Sequence, residues 1–185
     1  MATAGEYGRA RMEWETDAMT RLARFLFGLF ALLAACAPLQ QGALRIDGTP
    51  AVGFSQNWFT SFDGAKLGLD TWTPVEPPQQ SFGPGAGERE TGIIAVHGLS
   101  DYAGELNAAG AYWAAQGAAV YAYDQRGFGR SPGSGIWPRH ELMRKDLATA
   151  VDIARRRHPD ARIAVVGESM GASVAITAFA GDDPP

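Results

Sequence analysis

With 185 residues, 46% of them hydrophobic, a net charge of −4 and one cysteine, the chain is long enough to bury a single core and has no surplus of positive charge. Its basic residues are scattered, which excludes a nucleic-acid footprint, and no cysteine and histidine spacing matches a metal site, so neither a nucleic acid nor a metal is expected. Cys36, being alone, has nothing to pair with inside the chain.

Residues 1–18 are polar and precede a short basic stretch, Met19-Thr20-Arg21-Leu22-Ala23-Arg24. An apolar run from Phe25 to Ala35 follows and ends at Cys36. A basic segment before an apolar core of this length reads as a secretory signal, because a membrane span needs about 20 apolar residues. On this reading 1–18 is an over-called start, 19–36 a signal peptide and 37–53 a tether. Leu33-Ala34-Ala35-Cys36 resembles a bacterial lipobox. The resemblance implies lipidation of Cys36, a two-chain anchor on a bacterial membrane and an exported protein of the cell envelope. A plain signal peptide with an incidental cysteine, or an amphipathic anchor, are the other readings of the same residues.

A domain from 54 to 185 follows. Pro74 to Thr91, rich in proline, glycine and glutamine, reads as a surface loop. Ile93–Val96 is a short apolar run of strand formers, as expected for a strand buried on both faces. His97-Gly98 then opens a loop, and the pattern predicts a helix from about Tyr102 to Gln116, with Leu106, Ala109 and Trp113 on one face and Gly117 just past its end. Ala118–Tyr123 is the next strand, followed by the glycine-rich stretch from Asp124 to Ser131. The spacing predicts a helix over His140–Arg157 with Leu147, Ala150, Val151 and Ala154 inward, stopped at His158-Pro159. Last come a strand over Ile163–Val166, the turn Gly167-Glu168-Ser169-Met170-Gly171 and an apolar helix over Ala172–Ala180. Strands alternating with helices in this way call for an α/β fold, a mainly parallel sheet with helices on both faces. No internal repeats occur, and the glycine-rich segments near Gly85 and Gly133 complete no nucleotide-binding motif, so no cofactor is expected.

Gly167-Glu168-Ser169-Met170-Gly171 sits in the strand–turn–helix context that gives a G-x-S-x-G match its meaning as a nucleophile elbow. Together with His97-Gly98-Leu99 and Asp101-Tyr102, and with Asp124-x-Arg126-Gly127-x-Gly129-x-Ser131, it resembles the α/β-hydrolase superfamily. Within that superfamily it resembles the monoacylglycerol lipase and lysophospholipase-like group, of serine aminopeptidase S33 type. A fainter match lies in Phe59 to Pro74, which looks like that family's opening hairpin around the Asp63-Gly64 turn. The resemblance covers about residues 54–181 and implies a serine hydrolase of carboxylic esters. Ser169 would be the nucleophile, and the backbone N–H groups of Leu99 and Met170 the oxyanion donors. His97, Gly98, Gly167 and Gly171 would shape the site, and a lipid or small ester would be the substrate. Dehalogenases and epoxide hydrolases of this fold use an aspartate nucleophile, which Ser169 argues against; a peptidase or thioesterase remains open.

In this fold the acid and the histidine follow the serine. After Ser169 the chain has only Asp182 and Asp183 as further acids and no histidine. His97 belongs to the site-shaping loop, while His140 and His158 read as solvated helix-end residues. The fold's usual sheet has about eight strands, and the sequence supplies the first five. The expectation is therefore an N-terminal fragment: an incomplete domain, inactive by itself, with the sheet left open after its fifth strand. A non-catalytic lipoprotein relic of the fold is the competing reading.

Overall fold

The computed structural model of the chain describes residues 19–28, 39–74, 90–181 and 184–185. The readings placed on 1–18, on Cys36 and its lipobox, on most of the 74–91 loop and on Asp182 and Asp183 lie outside these. Two compact units are present, Met1–Leu39 and Gln40–Pro185. In the first, residues 19–28 form helix α1 with Phe25, Leu26 and Phe27 exposed. No helix among the described residues is long and apolar enough to cross a membrane.

The second unit is built on a six-stranded sheet. Its strands are β2 (Gly53–Phe54), β3 (Trp58–Thr60), β4 (Lys66–Trp72), β5 (Thr91–Val96), β6 (Ala118–Tyr123) and β8 (Arg162–Gly167), in the order β2-β3-β4-β6-β5-β8. Five of these are the expected strands, and the two-residue β2 adds an edge. Parallel pairing is confined to β6, β5 and β8, whereas β2, β3, β4 and β6 pair antiparallel. The sheet is thus mixed rather than mainly parallel. The cause is local: a turn as short as that between β3 and β4 can join only antiparallel strands. That turn closes through Gly64 N–H to Ser61 O at 2.9 Å, with Gly64 at φ +81°.

β5 and β6 are buried on both faces because helices cover both. Alternate residues separate the two cores, as the two-residue side-chain period of a strand requires. Ile94, Val96, Tyr121 and Tyr123 pack with Leu147, Val151 and Ala154 of α3 (His140–Arg157) and with Val174 and Ala178 of α4 (Met170–Phe179). Ile93, Ala95, Val120 and Ala122 face Leu106 and Trp113, beside α2 (Asn107–Ala115). α3 matches its expected bounds, and its inward stripe of Leu147, Ala150, Val151 and Ala154 is buried.

Three differences from the sequence reading matter. The helix expected from Tyr102 begins as a 3-10 turn over Ala103–Leu106, and α2 proper starts at Asn107. The last helix begins at Met170, two residues early, directly after Ser169. Within 37–53, residues read as a tether are held to the domain: β1 (Gln40–Gln41) pairs with β7 (Trp137–Pro138), and Leu44 N–H donates to Asp63 Oδ2 at 2.8 Å. At the other side of the sheet β8 pairs, among the described residues, only with β5; Val166 is 40% exposed, and Ile176 and Phe179 of α4 are also exposed.

Candidate active site

Gly167 ends β8 and Met170 begins α4, so Glu168 and Ser169 alone make the connection. Ser169 has φ 47° and ψ −110°, a positive φ on a residue with a side chain. Such conformations cost about 1–3 kcal/mol and persist only where the surroundings enforce them. Here Glu168 N–H donates to Val96 O at 3.0 Å, Gly171 N–H to Glu168 O at 2.7 Å and Ser173 N–H to Ser169 O at 3.1 Å. The turn is possible because both flanking residues lack a Cβ. One added at Gly167 would stand 2.5 Å from Ala172 N and from Gly171 C, and one at Gly171 would fall onto the Val96 carbonyl oxygen. Both obstacles are backbone and cannot swing aside. The result leaves Ser169 exposed at the C-terminal end of the parallel strands, at the start of a helix whose first N–H groups have no intrahelical acceptor.

The loop after β5 lies against this turn. A Cβ on Gly98 would stand 3.6 Å from Ser169 Cβ, an ordinary contact distance that puts this loop directly beside the serine. Leu99 is 57% exposed and Ser100 has φ 61°, the second non-glycine residue with positive φ among those described. His97 is fully buried. Its Nε2 accepts the Gln125 N–H at 2.9 Å, which makes Nε2 the unprotonated nitrogen and leaves Nδ1–H to donate to Gly98 O at 2.7 Å. Burial holds its pKa below the usual histidine value, so the ring is a neutral brace with both nitrogens engaged. Gln125 Nε2 in turn donates to His97 O at 2.8 Å.

The Asp124–Ser131 stretch carries a charge network that sequence reasoning did not find. Arg126, completely buried, donates to both oxygens of Asp63 (2.9 and 2.7 Å) and both of Asp146 (2.7 and 2.8 Å). Ser61 Oγ also donates to Asp146, at 2.5 Å. The hairpin turn, the loop after β6 and α3 are thereby joined at one guanidinium. The two carboxylates respond differently. For Asp63, burial pushes the pKa up but is outweighed by Arg126 and the Leu44 and Ala65 amides, so the carboxyl sits below its ordinary range. For Asp146, deeper burial wins over Arg126 and Ser61, with Asp63 adding repulsion, and the carboxyl sits above it. Asp124, also fully buried, accepts from Ala103 N–H at 2.7 Å and from Arg130 N–H and Nε at 2.9 and 2.8 Å. Burial is the largest influence and opposes its ionisation, but those bonds prevail and lower its pKa. The acidic positions in the hairpin and in α3 gave no sequence signal; only the fold brings them to Arg126.

Among the described residues, the polar contacts of the other two histidines do not involve Ser169. His140 is exposed at the start of α3, 3.1 Å from Glu141 Oε1. His158, read as solvated, is instead half-buried: its Nε2 lies 2.7 Å from Tyr121 Oη and its Nδ1 3.7 Å from Glu90 Oε2. The chain turns back at His158 into β8, so this ring packs on the sheet where the sequence suggested only a helix end. It belongs to the end where β8 starts, and Ser169 follows the end where that strand stops. Six residues of strand, about 20 Å, lie between the two ends.

A mixed α/β sheet, a strained serine between strand and helix, and a neighbouring His-Gly loop define the α/β-hydrolase fold. Among solved structures the chain superposes on a lidless serine hydrolase from Xanthomonas campestris with a TM-score of 0.54 at 21% identity, covering 73% of this chain and 59% of that one. It also superposes on a carboxyl esterase from Bacillus coagulans with a TM-score of 0.52 at 24% identity, covering 68% and 39%. These likenesses concern the fold. The sequence profile of the family described as serine aminopeptidase, S33 matches residues 87–185, just over half of the chain. The chain belongs to that family. It is also 31% identical over 122 residues to a monoacylglycerol lipase from Mycolicibacterium smegmatis, covering 65% of this chain and 39% of that protein. The chain thus spans about two fifths of the length of this relative.

Proposed function

We propose that Ser169 is the nucleophile of a carboxylic ester hydrolase of the lipase and lysophospholipase type, acting on lipid-like or small esters. The observation that carries this reading is the Ser169 turn itself, exposed, enforced by Gly167 and Gly171, and faced by the Gly98-Leu99 loop. In the reaction Ser169 Oγ bonds to the ester carbonyl carbon and gives up its proton to a base. The carbonyl oxygen becomes an oxyanion, which the N–H groups of Met170 and Leu99 stabilise. Each such donor is worth about 3 kcal/mol in the transition state. The intermediate then collapses as the base returns the proton to the leaving oxygen, releasing the alcohol. Water attacks the acyl-enzyme in the same way to release the acid and restore the serine hydroxyl.

Neither a base nor its acid is proposed within these 185 residues. His97 has both nitrogens engaged, His158 lies at the far end of the sheet, and no histidine follows Ser169. The acid and histidine are therefore assigned to further residues of a longer protein, and the 185-residue chain alone is proposed to be inactive. The same serine and donors would serve an amide, and the family's description favours a peptidase as the second reading. The ester is preferred because the relative at 31% identity is a monoacylglycerol lipase. Residues 19–36 are further proposed to direct export, and Cys36 to carry a lipid anchor to the bacterial envelope.

Turnover of short-chain nitrophenyl esters, measured on the protein with every residue its gene encodes, tests the reading. Activity should be lost in Ser169→Ala, and the 185-residue chain by itself should give the background rate. Turnover by that chain alone would overturn the assignment of an external base. Acyl mass on Cys36 after expression in a bacterial host tests the anchor, and an unmodified N-terminus elsewhere would refute it.

A further inference from the structure

We propose that Gln125, with Asp124 beside it, is a positioning residue that clamps the 97–103 loop and so fixes the Leu99 N–H against Ser169; this rests on the reading of Leu99 as an oxyanion donor.

The parallel ladder between β5 and β6 ends at the pair Val96 and Tyr123. Beyond that pair side chains continue the connection. On one side the Gln125 N–H meets His97 Nε2 and the Gln125 amide meets His97 O, at 2.9 and 2.8 Å. On the other, Asp124 Oδ1 takes the Ala103 N–H at 2.7 Å. Two consecutive residues of the β6 strand end thus hold the loop at its first and last positions. Between these anchors lie Gly98, against Ser169, and Ser100 at φ 61°. A left-handed serine in an exposed loop keeps that conformation only where its flanks are over-determined, and the two anchors supply the constraint.

The side chain of Gln125 is an awkward choice for packing alone. Among the described residues its Oε1 is buried without a partner, while its Nε2 serves only the loop carbonyl. An apolar side chain of the same length would avoid the unpaired acceptor, and would lose nothing but the clamp. The position therefore retains a donor at a place where packing gains nothing from its acceptor.

The test uses Gln125→Met, which keeps the length and removes the donor. Gln125→Leu serves as a second variant, which likewise has no group to donate to His97 O. In the 185-residue chain, amide hydrogen exchange at Leu99 and Ser100 should quicken at least tenfold in either variant, while β5 and β6 amides change less than twofold. In the complete protein kcat for a nitrophenyl ester should fall at least tenfold with KM within twofold. Unchanged loop exchange, or exchange raised equally across the sheet, would overturn the clamp. A loosened loop with unchanged kcat would overturn its link to the oxyanion donor. If Ser169→Ala kept its turnover, the nucleophile reading would fall separately, and loop exchange would still decide the clamp.

Discussion

Replacing Arg126 by methionine keeps most of the side-chain volume and removes the guanidinium that faces Asp63 and Asp146, whose side chains are 5% and 1% exposed. Each orphaned carboxyl then has two courses at pH 7. It can stay ionised in a buried place, or take up a proton, which costs about 4 kcal/mol for a group whose ordinary pKa is near 4. Protonation therefore sets a ceiling on the penalty for each group. Asp146 already sits above its ordinary range and protonates at less than that cost, whereas Asp63 keeps the Leu44 and Ala65 amides and stays ionised. Breaking one partner out of a buried pair costs about 3–5 kcal/mol, so a loss of about 4 kcal/mol is expected, a large part of a typical domain's stability. The pH dependence gives the sharper check. In the parent chain Asp63 and Asp124 are held below the ordinary carboxylate range, so their contribution is complete above about pH 4 and is lost as pH falls through their folded values. In Arg126→Met the folded Asp146 binds its proton more tightly than the unfolded chain does, so stability should rise as pH falls from 7 to 5. Urea unfolding followed by tryptophan fluorescence at pH 5, 6 and 7 measures both. A variant within 1 kcal/mol of the parent at pH 7, or one with the parent's pH slope, would refute the reasoning.

Two further outcomes concern the elbow. Gly171→Ala places a Cβ on the Val96 carbonyl, with His97 O 2.7 Å away, and should cost about 3 kcal/mol by opening the turn; a melting temperature equal to the parent's would show that the turn yields freely. Ser169→Gly should stabilise the chain by about 1 kcal/mol, since it releases the positive-φ strain and offsets glycine's greater unfolded-state entropy. Ser169→Ala keeps its Cβ and should give no such gain in the same thermal melts, so equal effects of the two substitutions would contradict a strained serine.

Much of this fold was legible because its signals are local. Ala118–Tyr123 and His140–Arg157 match their expected bounds, since a run of strand formers and a helical apolar stripe each declare themselves within one element. The hairpin at Asp63-Gly64 was expected from the family resemblance, and β3 and β4 form it. The failures are the reverse case. The helix after Tyr102 opens as a 3-10 turn whose first N–H, on Ala103, is met by Asp124, twenty-one positions away. His158 looked like a solvated helix end, and its bond to Tyr121 spans thirty-seven positions.

At the candidate site the sequence by itself determined the local pattern: a serine between two glycines after an apolar strand, and a His-Gly loop after another. These follow from residue type and spacing, because a tight strand-to-helix turn admits glycine where a Cβ would strike backbone. Only the tertiary structure decided what each polar group does. It made His97 a neutral brace, joined Asp63 and Asp146 through Arg126, and set Asp124 and Gln125 at the two ends of the loop beside Ser169. The physical reason is that buried charges and hydrogen bonds are satisfied across the sheet, by partners that proximity in space selects and proximity in sequence does not.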